Sequence, residues 1–434
     1  MIHIQFRHGK EDLVFKVPDN SLIYTSSYKP VDASPETLVL NSIADPIGCS
    51  SLKSQLKKRR EGKIVIVVSD ITRPIPYSLF LPALLRSITG EGVAKNEIQI
   101  LVATGMHRES TLDEKLVMFG KEVVENYQII DHHAECEDEL ATIEGESWSG
   151  AEISLNRFYV EAGFRIITGL VEPHFMAGFS GGRKAICPGL ASLTTIRKFH
   201  GYQFLSYPEA SNAVLENNPC HLENTSIARL CPADFSIHIV LDQHKRINRI
   251  ISGDQFLSHE KAIAYVKERS CKIVETPADL VITSCGGSPL DQTFYQCVKG
   301  FVNCLPAIKE RGKIIAFGSC SEGIGSPEYE QIMKKYSSSP NDFLRDISGG
   351  SFFIKDQWQF QMHIRVLEKI GKENLHFYTG GIPLRELALL SVNPHSPEGN
   401  DLVEIIQMQI NKAVVSGQKI AVFPEGPYCA AVAR

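Results

Sequence analysis

The sequence predicts an α/β protein whose sheets are largely parallel. Three apolar runs, at 63–69, 97–103 and 164–171, are rich in β-branched residues, as is typical of strands buried on both faces of a parallel sheet. Helical patterns lie between them, for example at 77–88 and 113–125. Because 434 residues exceed the usual size of one core, two domains are expected.

Each of these three strands is followed by a loop that carries charged or imidazole side chains. The first loop holds Asp70 and Arg73, the second holds His107, and the third holds His174. Because the carboxyl ends of parallel strands meet at one edge of a sheet, we expect these side chains to converge on one crevice.

A second α/β unit is predicted from about residue 277 onward. Its predicted elements are, in chain order, the strand 279–284, the helix 291–305 and the strand 312–318. On that helix, spacings of three and four residues place Tyr295, Gln296 and Lys299 on one face. An ordinary amphipathic helix with a solvated lysine has the same spacing, so the pattern alone leaves both interpretations open.

The predicted domain limits follow from these elements. The first domain is expected to span residues 1–272 and the second residues 277–411, with a linker at 271–276. The last strand-like run, within 412–434, is expected to return to the first domain.

Composition narrows the class of protein. The net charge is −5 and the one short basic run is at 57–60, which argues against nucleic-acid binding. No apolar stretch has the length of a membrane span and the N-terminus does not resemble a signal peptide, so a cytoplasmic location is expected. The 11 cysteines form no C-x-x-C pair and are expected to be buried thiols.

The segment 169–201 holds the densest set of candidate functional residues. It contains His174, Lys184 and His200, and the glycines around Lys184 would let backbone amides approach a ligand closely. No phosphate-binding G-x-x-x-x-G-K-[ST], zinc-binding H-E-x-x-H or nucleophile-bearing G-x-S-x-G motif is present. Together with Arg73, these residues favour acid–base or redox chemistry on a small anion with an unusual cofactor.

Four motifs resemble those of the lactate racemase family of nickel-pincer-nucleotide enzymes. They are D-I-T-R-P at 70–74, T-G-M-H-R at 104–108, the block at 169–201 and Y-Q-C-V-K at 295–299. Their joint presence is far more specific than any one of them. The resemblance implies two α/β domains that face each other across an active-site cleft.

The resemblance also implies a cofactor. This would be a nickel-pincer nucleotide, the pyridinium-3-thioamide-5-thiocarboxylate mononucleotide, attached to Lys184 and supplied by cofactor-synthesis proteins. His200 would be the protein ligand of its square-planar nickel, whose other donors are two sulfurs and a ring carbon. The residues expected beside the nucleotide are Asp70, Thr72 and Tyr295.

For substrate and chemistry, the resemblance implies a racemase or epimerase of a small 2-hydroxy acid that works by proton-coupled hydride transfer. His107 and His174 match the two acid–base residues. The expected substrate-binding residues are Arg73, Gln296, Lys299 and Trp358. Two alternatives stay open, a sugar epimerase of the same family and a non-catalytic cofactor-binding protein. Arg73 favours a carboxylate over a sugar, and the paired histidines argue against a mere carrier.

Overall fold

The computed structural model describes residues 1–349, 353–397 and 401–433, and its two main sheets have six strands each. The strands are β1 (Ile2–His8), β2 (Glu11–Val17), β3 (Leu22–Ile23), β4 (Ile64–Ser69), β5 (Ile98–Ala103), β6 (Gln128–Asp131), β7 (Leu140–Ile143), β8 (Ile153–Asn156), β9 (Phe164–Leu170), β10 (Pro173–His174), β11 (Gly178–Phe179), β12 (Phe235–Leu241), β13 (Ile247–Gly253), β14 (Cys271–Val274), β15 (Ala278–Ser284), β16 (Ile308–Phe317), β17 (Leu375–Tyr378), β18 (Asn393–His395), β19 (Ile420–Phe423) and β20 (Ala430–Ala433).

Helices cover the faces of both sheets, which confirms the predicted α/β class. They are α1 (Pro35–Ala44), α2 (Leu52–Leu56), α3 (Leu81–Thr89), α4 (Leu112–Phe119), α5 (Lys121–Asn126), α6 (Arg157–Val160), α7 (Leu193–Phe199), α8 (Tyr202–Ser206), α9 (Pro219–Leu230), α10 (Leu257–Ser270), α11 (Phe294–Val302), α12 (Pro327–Tyr336), α13 (Pro340–Ser348), α14 (Gln357–Ile370), α15 (Leu384–Leu387) and α16 (Leu402–Val415). The helix predicted at 113–125 is divided into α4 and α5 because Gly120, at φ +79°, ends the first of them.

The first sheet has the strand order β13-β12-β9-β4-β5-β6 and is parallel except for the β12–β13 pair. On β4, Ile64 and Ile66 point into one core and Val65 and Val67 into the core on the opposite face. Burial on both faces is the reason for its continuous apolar sequence, so this strand prediction is confirmed.

The same strand order brings the three functional loops together. Strands β9, β4 and β5 are direct neighbours and run parallel, so the loops after their carboxyl ends share one edge. The predicted convergence of these three loops is therefore confirmed.

The second sheet has the order β18-β17-β16-β15-β19-β3, and all of its pairs are parallel. On β15, Val281 points into one core while Leu280 and Ile282 point into the other. The strands predicted at 279–284 and 312–318 are both present, although the second begins earlier, at Ile308.

The expectation that the last strand-like run returns to the first domain is wrong for 420–423. Strand β19 lies between β15 and β3 in the second sheet. Its side chains alternate between the two cores of that sheet, with Val422 in one and Phe423 in the other, so both of its faces are buried there. The segment 271–276, expected as a linker, contains β14, which pairs with the C-terminal β20.

The N-terminal segment, which was expected to belong to the first domain, lies on the second sheet instead. The β1–β2 hairpin packs against the second sheet, where Phe6 and Phe15 lie 5.8 and 5.6 Å from the ring of Phe317. Strand β3 then forms the edge of that sheet. Apart from these segments, the domain limits stay a prediction.

The cysteines are free thiols as expected, although three of them, Cys49, Cys136 and Cys271, are only partly buried. All 11 are free thiols, and eight of them are buried. Within the described ranges, no helix combines the length and the apolar character that crossing a membrane requires.

Candidate active site

A cavity of about 160 Å³ lies between the carboxyl edge of the first sheet and helices α11 and α14. Its lining includes every site residue predicted from the sequence. These are Asp70, Thr72, Arg73, His107, His174, Lys184, His200, Tyr295, Gln296, Lys299 and Trp358. The site is therefore built from both halves of the chain.

His107 is oriented by a buried carboxylate. Its Nδ1 donates to Oδ2 of Asp70 at 2.5 Å, and the hydroxyl of Thr72 donates to Oδ1 of the same residue at 2.6 Å. Burial raises the pKa of Asp70, but the His107 and Thr72 hydrogen bonds and the Arg73 charge outweigh it, so this pKa lies below its usual value. Asp70 thus remains a carboxylate at neutral pH and contacts His107, and its expected place beside the nucleotide stays a prediction.

His174 lies on the short strand β10, directly after the end of β9. The backbone amides of Met176 and Ala177 donate to its Nδ1 at 3.4 and 3.2 Å, and its Nε2 lies 2.8 Å from Nζ of Lys184. Burial, followed by the positive charges of Lys184 and Arg73, lowers its pKa well below the usual value. The imidazole is therefore neutral at physiological pH.

Lys184 lies in a single helical turn at Gly182–Ala185 that depends on glycine. Gly181 and Gly182 have φ of +76° and +53°, and a Cβ on Gly182 would lie 2.6 Å from the ring of His259. Burial, with the charge of Arg73 next, lowers the pKa of Lys184 well below the usual value.

Arg183, beside it, is a buried cation that the sequence analysis did not single out. It is 2 % exposed, donates from Nε to the side-chain oxygen of Asn224 at 2.8 Å, and donates from a terminal nitrogen to Nδ1 of His259 at 3.2 Å. Burial lowers its pKa to about 9. Its place beside Lys184 in the G-G-R-K motif was the available signal.

His200 follows the last residue of α7 and faces Trp358 from the other half of the chain. The two rings stack with centroids 4.2 Å apart. Nδ1 of His200 is buried and has no hydrogen-bond partner. Burial, and after it the charges of Lys184 and His107, lowers the pKa of His200 well below its usual value. The imidazole is therefore neutral and carries a proton on only one of its two nitrogens.

The described residues contain no cluster of three or more histidine, cysteine or acidic side chains suited to a metal ion. A metal at His200 would therefore need its remaining donors from a bound group.

Helix α11 contributes three side chains to the cavity, as its spacing predicts. Tyr295 donates its hydroxyl to Oδ1 of Asp356 at 3.0 Å, whereas the side-chain oxygen of Gln296 is buried without a partner. Burial and the nearby Arg73 lower the pKa of Lys299 to about 7, against the opposing effect of Glu172. This face offers a basic side chain and a side-chain amide to a ligand.

Arg73, Lys299 and Gln296 also line a second, outer cavity of about 370 Å³. They therefore lie where the inner cavity meets the outer one. Glu172 lines the outer cavity as well, and burial raises its pKa in spite of the surrounding cations. Its position two residues before His174 was the sequence signal for it.

Asp356 is a further lining residue that the sequence analysis missed. It has φ of +67°, directly precedes α14, and accepts hydrogen bonds from the hydroxyls of Tyr295 and Ser326. Its only sequence signal was its position two residues before Trp358. A non-glycine residue with positive φ in an active-site cavity is a feature that emerges from the fold.

Comparison with known proteins finds two family models that match most of the chain. The family model described as the lactate racemase N-terminal domain matches residues 8–213, and the lactate racemase C-terminal domain model matches residues 273–372. The site residues all lie within these two ranges.

Two curated relatives are named lactate racemase. The protein from Thermoanaerobacterium thermosaccharolyticum is 37% identical over 374 residues, covering 85% of this chain and 86% of the relative. The protein from Lactiplantibacillus plantarum is 33% identical over 374 residues, covering 85% of this chain and 87% of the relative.

Solved structures agree as well. The lactate racemase apoprotein from T. thermosaccharolyticum matches with a TM-score of 0.88 and 33% identity, covering 99% of this chain and 100% of that one. A protein from Thermotoga maritima matches with a TM-score of 0.67 and 18% identity over 88% of this chain and 96% of that one, which is a likeness of fold alone. The extent and identity of these matches establish that the chain belongs to the lactate racemase family and is an isomerase, a racemase.

Proposed function

We propose that this protein interconverts the stereoisomers of a small 2-hydroxy acid, lactate first among them, using a nickel-pincer nucleotide attached to Lys184. The relatives named lactate racemase support the substrate class. The observation that carries the proposal is the shared cavity, which is lined by two histidines and by two basic side chains, Arg73 and Lys299.

The residues of the cavity fit the proposed cofactor. Lys184 offers an amine for covalent attachment, and His200 offers an imidazole at the wall of the same cavity. A single imidazole is enough when sulfur and carbon donors come from the group itself. When bound, this group would supply an electrophilic centre able to take up and return a hydride.

Arg73 and Lys299 would bind the substrate carboxylate. The guanidinium of Arg73 presents a planar fork that matches two carboxylate oxygens, and Lys299 adds a second charge from the opposite half of the chain. The side-chain amide nitrogen of Gln296, which lines the same cavity, would donate a further hydrogen bond to the carboxylate. A carboxylate bound by Arg73 from one half of the chain and by Lys299 from the other would not turn freely. The Cα of the substrate would then keep a fixed position between the two histidines.

His107 and His174 would move the hydroxyl proton, one for each stereoisomer. With Nδ1 of His107 bound to Asp70, its Nε2 is the nitrogen left for substrate, and the carboxylate stabilises the imidazolium that forms. His174 is neutral at physiological pH because burial lowers its pKa, and its place in the cavity makes it the candidate for the second acid–base residue. The substrate carboxylate already carries one negative charge. If the hydroxyl proton leaves while the Cα hydrogen departs as a hydride, the substrate does not acquire a second one.

The experiment uses the full-length chain produced together with cofactor-synthesis proteins and nickel. D-lactate, L-lactate, malate and a sugar panel are each incubated with it, and the products are separated by chiral chromatography. We expect racemisation of lactate, with Cα deuterium retained in the inverted product. Complete exchange of that deuterium with solvent would contradict hydride return, and turnover of sugars alone would contradict the carboxylate site.

A further inference from the structure

One face of helix α14 runs along the segment 200–210, which begins at His200 and contains α8. Trp358, Gln361 and Arg365 are spaced at i, i+3 and i+7, so they share that face of the helix. The helix belongs to the second half of the chain and the segment to the first. Their contacts therefore join the two halves beside the cavity.

The contacts follow the order of residues along both stretches of chain. At the start, the ring of Trp358 stacks on that of His200 with centroids 4.2 Å apart. Next, the side-chain amide of Gln361 donates to the backbone oxygen of Tyr202 at 3.1 Å. At the far end, Arg365 donates to three backbone oxygens, those of Leu205, of Tyr207 at 2.7 Å and of Ala210 at 2.9 Å. Helix and segment are thus joined over their whole shared length.

Arg365 makes the strongest of these contacts because it is a half-buried cation with several acceptors. Within the described residues, no carboxylate lies within ion-pair distance of its guanidinium. Burying a cation is unfavourable unless other groups replace its hydration. The planar fork of arginine can satisfy several carbonyl oxygens at once. The three hydrogen bonds therefore fix the end of the segment 200–210 against α14.

The imidazole of His200 depends on this arrangement for its orientation. No hydrogen bond from a described residue reaches its ring. Two aromatic contacts hold the ring, one with the edge of Phe199 at a centroid distance of 4.9 Å and one with the face of Trp358. Phe199 is its neighbour in the chain and moves with it. Trp358 is therefore the contact that ties the ring to the opposite wall of the cavity.

We propose that Arg365 is a positioning residue for His200. By holding the segment 200–210 along α14, it keeps the imidazole stacked on Trp358 at the cavity wall. An imidazole whose orientation is fixed beforehand loses less freedom when it binds a metal. The consequence for nickel rests on the proposed function, whereas the consequence for the stack does not.

The first test measures the fluorescence of Trp358 in the unmodified full-length protein. The other tryptophan of the sequence, Trp148, is 47 % exposed and is replaced by phenylalanine throughout, so that all emission comes from Trp358. Because Trp358 is 8 % exposed, we expect little quenching by acrylamide in this background. Arg365→Ala should raise the quenching constant at least about twofold and move the emission to longer wavelength, since local opening of the segment exposes the ring.

Matched variants separate this contact from the general stability of α14. Lys369, one turn further along the helix, also donates to a backbone oxygen, that of Leu305 at 2.8 Å, but within the second half of the chain. Lys369→Ala should therefore leave the quenching of Trp358 unchanged. Arg365→Lys keeps the charge but loses the planar fork, so it should lie between the background and Arg365→Ala.

Folding of each variant is checked by circular dichroism and thermal melting. Should Arg365→Ala not fold, Arg365→Lys and Gln361→Ala take its place, because each weakens the same join without removing all of it. Both should raise the quenching constant of Trp358 above that of the background.

The second test concerns nickel in the loaded protein. The protein is incubated with a chelator, and the nickel that remains after gel filtration is measured by metal analysis. Arg365→Ala should lose nickel about 10–100-fold faster than the natural protein, the range by which loss of an orienting partner weakens a metal site. Lys369→Ala should lose it at the natural rate.

The proposal is overturned if folded Arg365→Ala has the quenching constant of its background, or if Lys369→Ala changes it equally. It is also overturned if nickel leaves Arg365→Ala at the natural rate. The fluorescence comparison needs neither cofactor nor substrate, so it decides the role of Arg365 in the stack independently of the proposed function. Failure of the proposed racemase function would be seen in the chiral assay instead.

Discussion

Nδ1 of His107 lies 2.5 Å from the carboxylate of Asp70, and this contact decides which nitrogen of the ring can face a substrate. The side chain of His107 is 47 % exposed, whereas that of Asp70 is 7 % exposed. The exposed ring is therefore anchored by a partner that stays fixed within the protein. An anchored ring keeps its basic nitrogen aimed at the cavity.

Asp70→Asn should lower turnover of the loaded enzyme about 10²-fold, within the range that a general acid–base residue contributes. Asparagine has the shape of aspartate but no negative charge, so it does not stabilise the imidazolium of His107. Its side-chain amide can also donate, so it does not require the proton of His107 to lie on Nδ1. KM should change little, because Asp70 does not bind the carboxylate. Thr72→Val, which removes only the second hydrogen bond to Asp70, should change kcat less than tenfold. Unchanged kcat in Asp70→Asn would show that His107 does not need this partner.

His107→Ala and His174→Ala should each lower kcat by about 10²–10⁴-fold in the loaded enzyme, with smaller effects on KM. Both directions of racemisation should slow together, because no enzyme can change the equilibrium between two enantiomers. Initial rates from D- and L-lactate measure this directly. A variant that keeps its natural rate from either enantiomer would exclude its histidine from the reaction.

Arg73→Ala should weaken binding of a 2-hydroxy acid by roughly 2–5 kcal/mol, since it leaves a carboxylate without its bidentate partner. Arg73→Lys keeps the charge but loses the planar fork, so it should lie between the natural protein and the alanine variant. KM for lactate, and inhibition constants for lactate analogues, measure the loss. Equal KM in all three proteins would place the carboxylate elsewhere.

Substrate binding should weaken as pH rises through about 7. The pKa of Lys299 is lowered to about 7 by burial and by Arg73, so below that pH it carries the positive charge that attracts the carboxylate. Above it the charge is lost, and KM should rise toward the value of Lys299→Gln. A bound substrate carboxylate favours the charged form of Lys299, so the pH at which KM begins to rise should lie higher in the complex. A KM that rises equally in natural protein and Lys299→Gln would assign the effect to another group.

Lys184→Ala should abolish covalent attachment of the cofactor and retention of nickel, while the fold survives because the residue projects into a cavity. Intact-mass spectrometry reports the attached group, and metal analysis after gel filtration reports nickel. Lys57→Ala, at an exposed position, serves as the matched control. An alanine variant that retains both nickel and the added mass would reassign the attachment point.

The strands and their functional loops could be predicted because their signals are local. The run 63–69 had to be buried on both faces, and the residues that follow a parallel strand lie at the ligand-binding edge. The face shared by Tyr295 and Lys299 likewise follows from helical spacing alone.

The parts that could not be predicted depend on contacts between distant segments. Nothing near 420–423 indicates which sheet it joins, because a short apolar strand fits either one. The partnership of Asp70 with His107 crosses 37 residues of chain, and the role of Asp356 depends on where α14 begins relative to α11. Such relationships are set by tertiary packing rather than by pattern.

The path of the chain between its two sheets has a mechanical consequence. The chain leaves the second sheet after Ile23, builds the whole first sheet between Ile64 and Gly253, and re-enters the second sheet at Ala278. The first sheet is thus an insertion carried on two connecting segments, and any change in the width of the cavity must bend both of them. The second of these segments, between Gly253 and Ala278, contains β14, which pairs with the C-terminal strand β20. The C-terminal strand thus ties the returning segment to the end of the chain, and we expect its removal to alter the width of the cavity although β20 supplies none of the side chains that line it.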